Sequence, residues 1–279
     1  MEEPKRIQYS SDNPVLNNPY LEPKFHYDTD VDGNVDYSTI INGRRPYGYD
    51  ISIVPQKAKL VKALFTQEDF SSTNPNSDFI NGIRKEVKTW RTAGYPKASR
   101  ITKELLDFWF SNSQRLPQQR LFFCQQEAVE TAVWLNEIAD KDANMGNFYL
   151  RELQDRRHTV SNDDDDILPR TAFKMATGTG KTVVMAMLIL YHYLNKKANP
   201  MDTRYADHFL VCAPGITIRD RLGVLHLDNS QRSNNYDRSD YYHQRGLIPM
   251  QFEKELGGLN SCITIINYQQ FLRRTFSGK

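Results

Sequence analysis

Apolar residues recur at helical spacing from Asp78 onward. "DFINGIRKEVKTWRTAGY" sets Phe79, Ile83, Val87 and Trp90 on one side, and Gly94 with Pro96 supplies a stop. "ASRITKELLDFWF" predicts a second helix with Ile101, Leu105 and Phe108 along one side, and "CQQEAVETAVWLNEIAD" predicts a third. Residues 1 to 57 show little periodicity and are rich in Pro, Asn, Asp, Gly and Tyr, which predicts extended chain, turns and a hairpin around "DGNVDYSTIINGRRPYGYDISIV". After the helices, "HTVSNDDDDILPR" carries four adjacent, mutually repelling aspartates and reads as a flexible linker.

Beyond that linker the period changes to short β runs alternating with helices. "RTAFKMA", "DHFLVCAP" and "SCITIINY" are strand candidates, and "KTVVMAMLILYHYLNKK" and "GITIRDRL" are helix candidates. Strand, helix, strand in this order predicts an α/β fold with a parallel sheet and flanking helices. Between the last two strand candidates, "DNSQRSNNYDRSDYYHQRG" is polar and long enough to be a mobile, solvated insertion. The expected division is an arm and helical region (1–115), a helical segment (116–157), an acidic linker (158–170) and an α/β part (171–279).

Composition narrows the class only a little. A hydrophobic share of 39% over 279 residues supplies a real core, and a net charge of +2, from 36 basic against 34 acidic residues, makes any basic footprint a local one. Cys124, Cys212 and Cys262 lie far apart, which argues against a disulfide framework or thiolate metal site and for a reducing cytoplasm. The first residues hold no apolar leader, and no run of about 18 apolar residues occurs, so no membrane span is expected.

The chemistry concentrates in "MATGTGKT", residues 175–182, where a predicted strand runs into a predicted helix. The pattern G-x-x-x-x-G-K-[ST] is met over its last residues, with Met175 in place of the first glycine. Gly178 and Gly180 permit the backbone turns that aim the N–H groups of Thr177, Gly178, Thr179 and Gly180 at phosphate oxygens. Lys181 offers a charge to the β- and γ-phosphates and Thr182 a hydroxyl to Mg²⁺, while the following helix points its positive end at the same anion. A nucleoside triphosphate is the expected ligand.

This loop resembles that of superfamily 2 helicases and translocases, in the branch containing restriction-enzyme motor subunits, and other segments align in the same order. "RLFFCQQEAVETAVWL" is similar to the helix upstream of such motors, and by that resemblance Gln125 would read the adenine edge; a polar residue at a helix start is the alternative. "FLVCAPGITIRDRL" resembles motif Ia of the type III restriction enzyme Res subunit, which implies that Pro214, Gly215, Thr217 and Arg219 hold phosphates of one DNA strand. Against this, Arg219 and Arg221 flank Asp220 and can form a self-paired helix face. "ITIINYQQF" is similar to the later strand and turn, where Asn267 would lie near the same DNA strand. The arm, "INGIRKEVKTWRTAGYP" and "RLFFCQQEAVET" resemble the N-terminal part of the same family. The resemblance implies a partial RecA-like sheet, an ATP- and Mg²⁺-dependent DNA motor tracking along one strand of a duplex, and a possible modification or specificity subunit as partner.

Such motors carry an Asp-Glu-x-His box on a strand after motif Ia, and this sequence holds no Asp-Glu dipeptide. The expectation is therefore an N-terminal fragment, cut within the first motor domain, that binds nucleotide without useful turnover. Two readings from other classes stay beside it: a P-loop small-molecule kinase, and a nucleotide-binding module that docks a partner subunit through residues 1–115. "DTDVDGNVDYST" nearly spells a calcium loop, with Asp28, Asp30 and Asp32 at the first ligand positions, but Thr39 stands where the bidentate glutamate belongs, and a turn between short strands is the reading preferred. Tyr236, Arg238, Tyr241, Tyr242 and Arg245 mix aromatic and basic groups as a single-strand-binding loop does, with a solvated insertion preferred.

Overall fold

In the computed structural model, residues 6–8, 15–29, 34–47, 75–111, 115–141, 145–158, 171–230 and 237–271 are described. The elements run β1 (Arg6–Gln8), β2 (Phe25–Thr29), β3 (Val35–Asn42), α1 (Pro75–Thr92), α2 (Arg100–Leu106), α3 (Phe123–Val133), α4 (Met145–His158), α5 (Lys181–Ala198), β4 (Phe209–Ala213), α6 (Ile216–Arg221), α7 (Tyr241–Gln244) and β5 (Ile263–Asn267). Helices α2 and α3 run on into π turns, Asp107–Ser111 and Trp134–Ile138, and a 3₁₀ stretch, Met250–Cys262, leads into β5. The chain is thus mixed α/β and mostly helical. It divides into two units, Met1–Pro96 with Phe122–Phe173, and Lys97–Leu121 with Lys174–Lys279.

In the first unit, β1, β3 and β2 form an antiparallel sheet in that order, with an irregularity between Tyr27 and Asp28. The calcium-like stretch therefore has strands on both sides, with Asp28 paired to Asp36; Asp30 and Asp32 lie outside the described residues, as do "GYDISIV" and the acidic linker after His158. Helix α1 buries Phe79, Ile83, Val87 and Trp90, the side its periodicity predicts. It ends in a Schellman motif. Gly94, at φ 75°, donates to Arg91 O, Tyr95 donates to Trp90 O, and the Trp90 and Tyr95 rings meet at 4.9 Å. Tyr95 then hands its hydroxyl to Glu130 of α3 at 2.7 Å, and Arg91 Nε donates to the same fully buried carboxylate at 2.7 Å. Gln126 Nε2 adds a further donor at 2.8 Å. A buried charge needs such complete pairing, because each unmet lone pair carries a large desolvation cost.

The second unit is built on α5. Val183, Val184, Met187, Leu190, Tyr191 and Leu194 are buried on more than one side, which is why this helix reads as strongly apolar. Its Asn195 is fully buried and tied to α2: Nδ2 donates to Thr102 Oγ1 at 3.0 Å and Oδ1 accepts from Ser99 Oγ at 2.5 Å. Ser99 also caps α2 by accepting from Thr102 N at 3.0 Å. Strands β4 and β5 pair in parallel, with Ala213 opposite Asn267. No helix among the described residues is long and apolar enough to cross a membrane.

Two expectations are corrected. "RTAFKMA" forms no strand over residues 171–176, all of which except Met175 are exposed; a strand needs a neighbour to satisfy its amides, and among the described residues the parallel sheet holds only β4 and β5. The segment from Asp228 to Gly246 is not wholly a solvated insertion. Asp240 and Tyr242 are fully buried, and Asp240 caps α7 by accepting from His243 N at 2.8 Å. Arg115 pins the end of the segment, donating to Gly246 O at 3.0 Å and to Arg245 O at 2.6 Å. Tyr242 is therefore a core residue rather than a stacking platform, and Tyr236 lies outside the described residues.

Candidate functional site

The loop between Met175 and α5 turns twice through left-handed backbone, at Gly178 (φ 80°) and Gly180 (φ 78°). A Cβ at Gly178 would meet no atom within 4 Å, so backbone conformation, not space, calls for glycine there. Donors converge on one oxygen inside the turn. Thr179 Oγ1 donates to Ala176 O at 2.7 Å and Lys181 Nζ donates to it at 2.8 Å, with Thr179 N at 3.5 Å. A hydroxyl, an ammonium and an amide thus face a single neutral carbonyl oxygen. Thr177 and Gly178 are exposed at the tip and Thr182 is half-buried in the first helical turn.

Gly180 is the N-cap of α5, where no side chain among the described residues caps the helix and no acidic residue stands in the first turn. Val183 N and Val184 N of the eighteen-residue helix both donate to Gly180 O, at 2.9 and 3.2 Å. Burial of Val183 and Val184 immediately behind fixes the loop against the core.

The second cluster sits at the carboxyl ends of the parallel strands. Pro214 and Gly215 follow β4 directly, Gly215 caps α6, and Asn267 ends β5 in register with Ala213. Ligands of parallel α/β sheets bind at this edge. Thr217 is exposed on the first turn of α6. Arg219 is folded onto its neighbour, with Nε and Nη2 donating to Asp220 Oδ1 at 3.0 and 2.8 Å, the self-paired arrangement open from sequence. Asn267 is 5% exposed and its Oδ1 accepts from Gln269 N at 3.2 Å, shaping the turn after the strand.

Gln125 belongs to the first unit, the phosphate loop to the second. It is 4% exposed, and its Oε1 accepts from Phe122 N at 2.8 Å, capping α3.

Sequence reasoning missed a basic cluster in the first unit, where Arg44 grips both carboxylate oxygens of Glu127 beside Arg84. Its signal was present: Arg84, Lys88 and Arg91 recur at helical spacing. It also missed a triad in the second unit. His243 Nδ1 faces Asp240 Oδ2 at 2.8 Å and Nε2 faces Arg238 Nη1 at 2.8 Å. Arginine only donates, so Nε2 accepts and Nδ1–H donates to Asp240; burial pushes the Asp240 carboxyl up, but hydrogen bonds from His243 and from Asp228 N outweigh it and hold the carboxyl below its usual pKa.

The sequence model of a family described as "Type III restriction enzyme, res subunit" matches residues 118–275, a stretch that contains Gln125, the phosphate loop and the strand-end cluster. No curated protein and no solved structure matches the chain.

Proposed function

The chain belongs to the type III restriction enzyme Res subunit family, a superfamily 2 motor ATPase family, and we propose that it binds MgATP at residues 175–182 as part of a DNA translocase. The observation that carries this reading is the pair of left-handed glycines leading into an uncapped helix, with the Lys181 ammonium turned into the loop. Lys181 and the loop amides of Thr177 to Gly180 hold the phosphate oxygens and stabilise charge that develops on the transferred phosphoryl group. Mg²⁺ carried in with a nucleotide would be held on the protein side by the hydroxyl of Thr182, and would supply charge neutralisation to the phosphates.

In the same reading β4 and β5 are part of a RecA-like sheet with α5 as a flanking helix, and Pro214, Gly215, Thr217 and Asn267 face the backbone of one DNA strand. Arg219 joins them by exchanging Asp220 for a phosphate, and Gln125 selects adenine when its amide is released from the α3 cap. A modification or specificity subunit is the partner proposed for residues 1–115. The test is a titration of the chain with a fluorescent ATP analogue in Mg²⁺, chased with ATP and then GTP. Saturable binding displaced better by ATP is expected, and the absence of saturable binding removes the proposal.

A further inference from the structure

Along α1, Arg84, Lys85, Lys88 and Arg91 stand at i, i+1, i+4 and i+7, and with Arg44 and Arg45 of the arm they line one cavity of about 350 Å³. Two carboxylates share its wall, Glu22 and Glu127. Glu22 holds Lys88 at 3.0 Å, and Arg91 turns aside to the buried Glu130. Arg44 takes both oxygens of Glu127, through Nη1 to Oε1 and through Nη2 to Oε2 at 2.5 Å. Arg84 is left with a 4.0 Å contact to that same Oε2 and the face of Tyr47 at 5.7 Å. Lys85 is exposed and makes no ion pair among the described residues. The cavity wall thus carries more cation than its carboxylates neutralise.

Arg84 shows the imbalance in its own titration. Burial first, and the like charge of Arg44 second, hold its guanidinium below the usual pKa, and Glu127 opposes them only in part. An anion arriving beside Arg84 would offset the like charge of Arg44 and supply the guanidinium with a counter-charge. Asn81 fixes the wall from the other side, accepting from Tyr47 N at 2.9 Å and donating to Tyr47 O at 3.3 Å, so Tyr47 backs the guanidinium without needing to move.

We propose that this cavity, with the exposed lysines beside it, binds the phosphodiester backbone of a nucleic-acid strand, one phosphate seating against Arg84. With Arg91 drawn off to Glu130, the stripe from Arg84 to Lys88 is about 6 Å long at 1.5 Å per residue. In B-form geometry a DNA strand presents a charge about every 3.4 Å of axis, so this stretch faces about two phosphates. A lone small anion would use the cavity and leave the stripe unmatched. The half-buried, planar guanidinium of Arg84 suits bidentate contact with a phosphate. The inference takes the kind of partner from the proposed DNA-binding reading but places a contact on residues of the first unit that the DNA contacts of that reading do not include.

The test is fluorescence anisotropy of a labelled single-stranded oligothymidylate against the full chain over a range of salt. Arg84→Gln and Lys85→Gln should each weaken binding several-fold at low salt and flatten the slope of log affinity against log salt by about 0.7 per charge removed. Binding of a fluorescent ATP analogue should not change in either variant. Lys85 is exposed, so its variant keeps the test valid if Arg84→Gln perturbs folding. Wild-type affinity and slope in the Lys85 variant and in a folded Arg84 variant overturn the inference. If Thr217→Ala weakens the oligonucleotide and these variants do not, the inference fails while the DNA-binding reading survives; if the unaltered chain ignores the oligonucleotide, both fail. Tighter binding of poly-glutamate that depends on Arg84 would make the surface a docking face for an acidic protein, and would also overturn it.

Discussion

Lys181 reaches back across its own loop and donates its ammonium to the carbonyl oxygen of Ala176 at 2.8 Å. The side chain is exposed, so this bond is a weak hold in competition with water, and a triphosphate offers the same ammonium a formal negative charge. The prediction is that Lys181→Ala weakens binding of a fluorescent ATP analogue by about tenfold or more, the equivalent of a charged hydrogen bond of about 1.5–3 kcal/mol. Thermal stability should stay close to wild type, because no buried contact is lost. An unchanged dissociation constant would remove Lys181 from the site.

Gly180 enters α5 at φ 78° and ψ 43°, in the left-handed region. An L-residue there costs roughly 1–2 kcal/mol, less for asparagine. Gly180→Ala should therefore lower stability by about 1 kcal/mol and weaken nucleotide binding beyond that, since the amides lose their aim; Gly180→Asn should be milder on both counts. Denaturant melts and nucleotide titrations of the two variants would show it. Equal behaviour of the alanine and asparagine variants would mean the left-handed turn is not what the site requires.

Gln125 is where a functional and a structural reading meet on one atom. Its Oε1 accepts from Phe122 N, so Gln125→Ala should cost about 1 kcal/mol of stability through the lost cap. If Gln125 also reads adenine, the same change should erase the preference for ATP over GTP in a competition titration. A melting shift with the preference intact would assign the residue to the helix cap alone.

The parts legible in the sequence are those in which a local pattern has one physical outcome. The period of Phe79, Ile83, Val87 and Trp90 leaves one face for burial, Gly94 had to stop that helix, and "FLVCA" and "ITIIN" could pair in parallel once a helix separated them. What stayed hidden depends on partners distant in sequence. Tyr242 reads as part of a polar loop, yet it is fully buried, and the segment around it is held by Arg115, over a hundred residues earlier. "RTAFKMA" has the composition of a strand, but composition does not supply the neighbouring strand it needs. In the candidate site, the glycines and lysine were visible because their chemistry is contiguous. The neutralisation of Arg44 by Glu127, which leaves Arg84 short of a counter-charge, joins residues 83 positions apart and leaves no local trace.

Glu130 is fully buried and collects Arg91, Tyr95 and Gln126. Removing the carboxylate strands the Arg91 cation in a part-buried place, so Glu130→Ala should destabilise the chain by about 3–5 kcal/mol. Replacing both partners together, Arg91→Leu with Glu130→Leu, should recover much of that loss, because no unpaired charge remains. Chemical denaturation of the single and double variants decides it; a double variant as unstable as the single would show that packing, not charge pairing, holds this junction.

His192 carries the clearest pH dependence. Burial lowers its pKa from the ordinary 6.5 to about 4, and its Nδ1 accepts from Ala206 N at 3.4 Å, which fixes the proton on Nε2. Protonating Nδ1 would set one N–H against another. Above about pH 6.5 neither the folded nor the unfolded chain binds this proton, and the histidine leaves stability unchanged. Between about 6.5 and 4 the unfolded chain binds it and the folded chain does not, so stability falls as pH falls, by at most about 1.4 kcal/mol per pH unit. Below about 4 both states are protonated and the slope from this residue vanishes. His192→Gln keeps an acceptor for the Ala206 amide and has no proton to gain. Urea melts between about pH 6.5 and 5, above the range in which native carboxylates such as Asp240 begin to protonate, should therefore show a slope in the parent chain that this variant lacks. Parallel curves for the two proteins over that window would mean that the imidazole is solvated enough to titrate as it does in water.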